Sequence, residues 1–435
     1  MKRLRLTAHL QGRRWIAVVA LCLLVTLTVL AAGCGGGSDE ASTEPAATEE
    51  PAADAEATAE EEPADTGAEA PAETGAADAA ENELGYIETE LRLLGLIDPA
   101  DVEEGLKVCF FGDGTTNTYV LANNSGAQQA ADKLGVDIEI FLGDWDPTRQ
   151  LNQLEDAIRQ NLCDGMILES IDPNVVCSAA TEGATEANIP MAIANVPICG
   201  DENWTEGTIT FSGSQTLDYY LEYTNWVFEQ FMERYPEGGK IAAITGPANW
   251  SGTIAPYGST VSYEQTLPNF PDIEMVQVID SDFTVEGGLN AANTILSTHP
   301  DVQGLIVQYD QDANGAVQAL KSAGKQPGDV MVWGLGCDHS GVDNVKSGWQ
   351  QGCFLLEPVE ETGHAVEAMI AYLSGVPLCE DPPNKDAISS ITPGQVDCIP
   401  KFLWTFLDPT LTATFGADAS PFVTEENADV ITPEW

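Results

Sequence analysis

The chain has 435 residues, enough for two domains with separate hydrophobic cores. Asp and Glu total 69 against 17 Lys and Arg, which gives a formal net charge of −52. This balance excludes nucleic acid as a partner, because phosphate binding requires a basic surface.

The first 34 residues have the pattern of a secretory signal. Basic residues are concentrated before Trp15, an apolar run follows to Ala32, and Cys34 stands at its end. The sequence Leu-Ala-Ala-Gly-Cys over 30–34 resembles a bacterial lipobox, although Leu more commonly stands three residues before the Cys, where this chain has Ala31. The resemblance implies a lipid on Cys34 and a location outside the cytoplasm, anchored to the membrane. An uncleaved transmembrane helix is the alternative.

Residues 35–85 form a low-complexity segment of Ala, Glu, Pro, Thr and Asp. It contains 16 acidic residues and no basic one. Such a segment cannot bury a core and its charges repel, so it predicts a disordered acidic tether.

Eight cysteines follow the tether, an even number that predicts disulfides in an exported chain. No Cys-x-x-Cys occurs, which argues against a zinc knuckle. Connectivity does not follow from the sequence. Our hypothesis is pairing between neighbours along the chain, with Cys379–Cys398 as the clearest pair.

From Leu106 onwards, apolar strand patterns alternate with amphipathic helix patterns, which predicts an α/β fold with parallel sheets in two lobes. The predicted strands are Leu106–Phe111, Val136–Phe141, Gly165–Leu168, Pro190–Ala194, Thr208–Ser212, Lys240–Thr245, Glu274–Ile279, Gly304–Gln308 and Val330–Gly334. The predicted helices are Tyr119–Lys133, Pro147–Gln160, Asn174–Ala187, Leu217–Arg234, Val285–Ser297 and Asn314–Ala323.

Four segments resemble the type I periplasmic binding proteins of sugar ABC importers, and ribose-binding proteins in particular. They are Gly126–Gly135, His299–Gly304, Gly315–Leu320 and Val423–Asp429. The resemblance implies two Rossmann-like lobes joined by three hinge strands, near Ser212, near 356–358 and before Pro421. It also implies a ligand in the cleft between the lobes, and an ABC permease and ATPase as partners.

The resemblance and the signal pattern together predict the domain boundaries. The signal peptide covers 1–34 and the tether 35–85. The N-terminal lobe comprises 86–212 plus 357–378, and the C-terminal lobe 213–356 plus 421–435. Residues 379–420 depart from the family pattern and are predicted to form an insertion.

Matched to the family's ligand contacts, four positions keep the expected residue type: Asn117, Tyr119, Phe283 and Asp310. Six positions differ from the family: Asn195, Val196, Ile254, Tyr309, Gly336 and Leu356. Two arginines and two aspartates of the family are absent at these positions. The differences predict a ligand held by stacking and neutral hydrogen bonds rather than by charged, bidentate contacts.

Asn195, Asn249, Trp250 and Tyr309 are further predicted ligand contacts, and Trp145 and Tyr257 could add stacking surface. Each prediction has a structural alternative. Asn117 could serve only as a helix cap, and the aromatic residues could be ordinary packing.

No enzyme, cofactor or metal site is predicted. The glycine loop at Gly112 lacks the third glycine of a dinucleotide site, the acids from Asp310 lack the last ligand of a calcium loop, and the four histidines have no metal spacing. The expected function is the extracytoplasmic solute-binding component of an ABC importer, taking a small carbohydrate. The alternatives are a nucleoside- or autoinducer-binding lipoprotein, and a receptor that feeds a membrane signalling kinase.

Overall fold

The computed structural model describes residues 89–247, 258, 261–380, 398–403 and 421–435. As far as Gly336 its strands occur in the predicted order, whereas the helix Ser262–Thr266 and the strands and helices after Gly336 are not among the predicted elements. The strands are β1 (Lys107–Gly112), β2 (Asp137–Leu142), β3 (Gly165–Glu169), β4 (Met191–Ala194), β5 (Thr210–Ser212), β6 (Gly239–Thr245), β7 (Ile273–Asp280), β8 (Gly304–Val307), β9 (Met331–Gly336), β10 (Gly352–Leu355), β11 (Phe402–Leu403) and β12 (Phe422–Val423). The helices are α1 (Thr118–Leu134), α2 (Pro147–Gln160), α3 (Ala184–Ala187), α4 (Leu217–Arg234), α5 (Ser262–Thr266), α6 (Val285–Thr298), α7 (Asp310–Ser322), α8 (His339–Lys346) and α9 (Pro358–Leu373).

The strands form two six-stranded sheets, one in each lobe. The first has the order β11-β5-β4-β3-β1-β2 and the second the order β12-β10-β9-β8-β6-β7. All neighbouring strands run parallel except β10 and β12, which are antiparallel. The predicted fold class, two parallel α/β lobes, is confirmed.

The chain passes between the two sheets three times, as the resemblance implies. It leaves the first sheet after β5, returns between β10 and α9, and crosses again between β11 and β12. Helix α9 belongs to the first lobe, where it packs against α1 and against the central strands. The lobes are therefore each built from separated stretches of sequence.

Helices begin where the sequence provides a capping side chain just after a strand. Asn117, Asp146, Thr216, Thr284 and Asp338 each accept a hydrogen bond from a backbone N–H in the first turn of the helix that follows. Because parallel strands end at one edge of their sheet, these caps bring the helix N-termini to that same edge.

The structure differs from the predicted elements in several places. The helix predicted over 174–187 begins later, because Asp172 accepts hydrogen bonds from the N–H groups of Asn174 and Val175 and holds a turn there. Helix α7 begins at Asp310 rather than Asn314.

Part of the predicted insertion is joined to the first lobe. Leu378 and Ile399 form a β-bridge beside the Cys379–Cys398 disulfide, and β11 then pairs with β5 at the edge of the first sheet. The ring of Phe402 stacks on that of Phe211, with centroids 5.4 Å apart. These residues thus extend the first sheet by one strand.

The four disulfides pair the cysteines in the predicted, nearest-neighbour way. They join Cys109–Cys163, Cys177–Cys199, Cys337–Cys353 and Cys379–Cys398. Each closes a loop of 16 to 54 residues, which by chain entropy stabilises the fold by about 3–4 kcal/mol. Within the described ranges, no helix is long and apolar enough to cross a membrane.

Candidate functional site

A cavity lies between the lobes, at the carboxyl ends of the strands. Its empty space is about 410 Å³, including the part open to solvent. The residues that line it are Asp113, Asn117, Tyr119, Trp145, Asn195, Gln215, Phe283, Gln308, Tyr309, Leu335 and Leu356. Gln215 and Leu356 belong to two of the crossing segments, so both lobes and their connections contribute to one wall.

Asn117 has two roles in the first-lobe wall. Its side-chain oxygen accepts a hydrogen bond from the Val120 N–H at 3.0 Å, so it caps α1, and the same residue lines the cavity. Asn117 is therefore a helix cap, and it also lies where it could contact a ligand.

A network of hydrogen bonds holds the polar part of this wall. Tyr119 donates its hydroxyl to Glu361 at 2.7 Å and accepts from the Gln215 amide at 3.2 Å. Gln215 also donates to the Asn195 side-chain oxygen, while the Asn195 amide donates to Glu169 at 2.9 Å. Both carboxyl groups are fully buried and are bonded by neutral donors. The network fixes the amides of Asn195 and Gln215 beside the cavity.

Burial raises the pKa of the acids around this wall. The pKa of Asp113 rises to about 8 and that of Glu361 to about 7. The pKa of Glu169 lies well above its usual value, first because of burial and then because of the neighbouring Asp113 charge. These groups therefore hold protons at a pH where exposed carboxyl groups are ionised.

Two aromatic rings stand in the second-lobe wall, beside Gln308 and Leu335. Phe283 meets Tyr309 edge to face, with centroids 5.4 Å apart. Behind the cavity, Trp435 stacks on Tyr309 at 5.3 Å and contacts Tyr119 edge to face at 5.1 Å. Trp435 is 1% exposed, so it supports two lining rings from below.

Three lining residues have backbone conformations that non-glycine residues seldom adopt. Trp145, Asn195 and Phe283 have φ of 60°, 67° and 60°. Such strain persists where surrounding structure requires it, and it is concentrated at functional sites.

The two lobes are joined by a hydrogen bond between residues that flank the cavity wall in sequence. The Gln311 amide, on α7 of the second lobe, donates to the Thr118 hydroxyl, on α1 of the first, at 2.8 Å. This hydrogen bond corresponds to a closed arrangement of the two lobes.

The structure brings together most of the predicted ligand contacts. Asn117, Tyr119, Asn195, Phe283 and Tyr309 line one cavity, as does Trp145. Asn249, Trp250, Tyr257 and Cys34 lie outside the described residues.

Asp310 does not line the cavity and lies beneath its floor instead. Its carboxylate is fully buried, and it accepts from the Gln350 amide at 3.0 Å and from the Asp338 N–H at 3.2 Å. Asp310 follows β8, as the resemblance to the family predicts. Its oxygens, however, bond to other residues of the second lobe and not to the cavity.

Sequence reasoning missed Asp113, Gln215, Glu169 and Trp435 as parts of this site. The position of Asp113 just after β1 and of Glu169 at the end of β3 was a usable signal, because ligands bind at strand ends. Nothing local indicates Trp435, because only the fold brings it to residues more than a hundred positions away.

We expect the free energy of unfolding of the ligand-free protein to fall as pH rises from 5 to 7.5. The pKa values of Asp113, Asp310 and Asp312, each raised to about 8, and of Glu361, raised to about 7, keep protons on the folded state that the unfolded chain releases near pH 4. The folded state therefore binds more protons in this window, and stability is lost with rising pH, by about 2–3 kcal/mol for each group that keeps its proton. Urea unfolding at both pH values measures it. Glu361→Gln should reduce the slope, and stability that rises with pH would contradict the prediction.

Comparison with known proteins agrees with the geometry. Residues 108–377 match the periplasmic binding protein domain family. The ribose import binding protein of Escherichia coli is 27% identical over 260 residues, covering 60% of this chain and 82% of the relative.

Solved structures show the same fold. A solute-binding protein of an ABC transporter from Bacillus halodurans, with bound myo-inositol, superposes with a TM-score of 0.59 at 18% identity, covering 77% of this chain and 99% of that one. A periplasmic ribose ABC transporter protein from Conexibacter woesei has a TM-score of 0.55 at 21% identity, covering 75% and 94%. The chain belongs to the periplasmic binding protein family.

Proposed function

We propose that this protein is the extracytoplasmic solute-binding component of an ABC importer and that it binds a small carbohydrate in the cavity between its lobes. The observation that carries the proposal is the cavity wall, where aromatic rings and side-chain amides from both lobes face one space at the strand ends. The family and the names of the sugar-binding relatives support the same class of ligand.

The wall suits a sugar in two ways. The rings of Tyr119, Phe283 and Tyr309 offer apolar faces to the C–H side of a sugar ring. The amides of Asn117 and Asn195 offer both donors and acceptors to hydroxyl groups. A ligand that touches both walls favours the closed arrangement, because its contacts to the second lobe are lost on opening.

The proposal is tested by thermal shift and titration calorimetry against pentoses, hexoses, polyols, disaccharides and nucleosides. A sugar present at about a hundred times its Kd should add about 2.7 kcal/mol of stability. Asn117→Ala should weaken its binding, whereas Asn290→Ala, the same change on the exposed face of α6, should not. Silence across the sugars would overturn the proposal.

The relatives do not favour the alternatives, and the same panel separates them. A shift with nucleosides alone would support a nucleoside-binding lipoprotein. Sugar binding without a sugar-dependent interaction with a permease would support a receptor that signals through a kinase.

We also propose that Cys34 is lipidated and that residues 35–85 tether the domain to the cell membrane. The position of Cys34 at the end of an apolar run supports this. Cys34→Ser should release the protein from the membrane fraction and abolish incorporation of labelled fatty acid; unchanged membrane association would contradict it.

A further inference from the structure

Asp113 is an acid in the cavity wall to which the proposed function assigns no partner. It follows β1, lines the cavity and is 4% exposed. Its Oδ1 atom is buried and has no hydrogen-bond partner. A buried carboxylate oxygen without a partner is costly, so its presence at a ligand site requires an explanation.

No protein cation neutralises this acid in the described structure. None of the described residues that line the cavity is Lys, Arg or His. The neighbouring acids, Glu169 and Glu361, are bonded only by the neutral groups Asn123, Asn195, Tyr119 and Ser214.

Residues 248–260, which follow β6 along the chain, contain no Lys, Arg or His. Of the three buried acids Asp113, Glu169 and Glu361, Asp113 is the one that lines the cavity. A cation brought by the ligand would stabilise the ionised form of Asp113, which burial disfavours in the ligand-free protein, and would attract that carboxylate in a medium of low dielectric constant.

The rest of the wall is suited to the same kind of group. Tyr119, Trp145, Phe283 and Tyr309 line the cavity together with Asp113. Aromatic faces attract ammonium groups through the ring quadrupole, and aromatic walls with one carboxylate recognise amine-bearing ligands. The acid and the aromatic rings therefore each favour a ligand that carries an amine.

We propose that the carbohydrate carries a protonated amine, as an amino sugar or amino polyol does, and that the Asp113 carboxylate accepts a hydrogen bond from it. The inference rests on the proposed function, because it names the class of carbohydrate for the same cavity. It makes Asp113 the residue that selects amine-bearing ligands over their neutral parents.

The test is titration calorimetry of the exported protein with matched pairs: glucosamine with glucose, galactosamine with galactose, and 1-amino-1-deoxysorbitol with sorbitol. At least one amine should bind at least tenfold more tightly than its parent. Asp113→Asn should lower the affinity for that amine at least tenfold and bring the ratio of amine to parent affinity towards one.

The matched control is Asp312→Asn. Asp312 is a buried acid of α7 that accepts from the Ser281 hydroxyl at 2.6 Å and does not line the cavity, so this change should leave amine binding unaltered. The ratio of amine to parent affinity in the unaltered protein tests the proposal even if Asp113→Asn does not fold.

The outcomes separate the two proposals. If neutral parents bind as tightly as the amines, or more tightly, the amine proposal is overturned and carbohydrate binding stands. If amines are preferred but Asp113→Asn leaves the preference intact, the role of Asp113 is overturned. If no member of any pair binds and the wider sugar panel is silent as well, carbohydrate binding itself fails.

Discussion

Gly126→Ala is expected to lower the free energy of unfolding by about 2–3 kcal/mol. A Cβ at this position would lie 2.1 Å from the Val359 carbonyl oxygen and 2.7 Å from the Thr362 hydroxyl, both on α9. Neither neighbour can move freely, because Thr362 donates to the Asn123 carbonyl at 2.6 Å and so joins the two helices. The added methyl group must push α9 away from α1. Chemical unfolding measures the loss.

The effect should reach the ligand as well. Helix α9 begins two residues after Leu356, which lines the cavity, so a displaced α9 shifts that wall. The control is Gly183→Ala, where the nearest atom to the new Cβ is 3.7 Å away and φ is helical. We expect stability within about 0.5 kcal/mol of the parent, or a small gain. Equal effects of the two substitutions would show that α1 and α9 have room between them.

Trp435→Ala is expected to cost about 3–5 kcal/mol of stability and to weaken ligand binding about tenfold or more. The indole is buried against Tyr119 and Tyr309, and its removal leaves both lining rings without support on one side. Gly336 lies next to the indole and has no side chain that could fill the space left by its removal. Its φ of 122° also disfavours any residue other than glycine there. Calorimetry with the ligand found in the sugar panel measures binding.

The matched control for Trp435 is Trp349→Ala. Trp349 is half-buried under Lys321, whose ammonium lies 5.0 Å from its ring centroid, and it does not line the cavity. This change should cost stability without altering Kd. If Trp435→Ala also leaves Kd unchanged, the stacked rings do not need the indole to keep their places.

The two large effects share a physical origin. At both positions the fold has brought backbone or ring atoms within van der Waals contact across elements that are far apart in the chain. Close packing leaves no room for an added atom and no replacement for a removed one.

Much of this protein follows from local sequence. Buried apolar runs such as Val108–Phe111 define strands, and capping residues such as Asn117 and Thr216 begin the helices beside them. Local pattern was enough because strand burial and helix capping each depend on a few adjacent residues. Neighbouring cysteines paired as predicted for a related reason, since each pair closes a short loop within one lobe.

The candidate site was only partly readable in this way. Asn117, Tyr119 and Phe283 could be predicted as site residues because they match the residue types that ribose-binding proteins have at these strand ends. Asp310 matched the same pattern, yet its oxygens accept hydrogen bonds from Gln350 and Asp338 below the cavity. Residue type and position along a strand do not determine which neighbours a side chain meets.

Tertiary structure alone decided the support and the charge of the cavity. Trp435 meets Tyr119 and Tyr309 only because the chain crosses between the lobes three times. Asp113 shares a buried region with Glu169 and Glu361 only because β1, β3 and α9 pack together. The sequence by itself determined the two lobes and where their strands end, since those depend on short-range patterns. The fold decided which acids lose their water, because burial depends on all of the elements that surround a side chain.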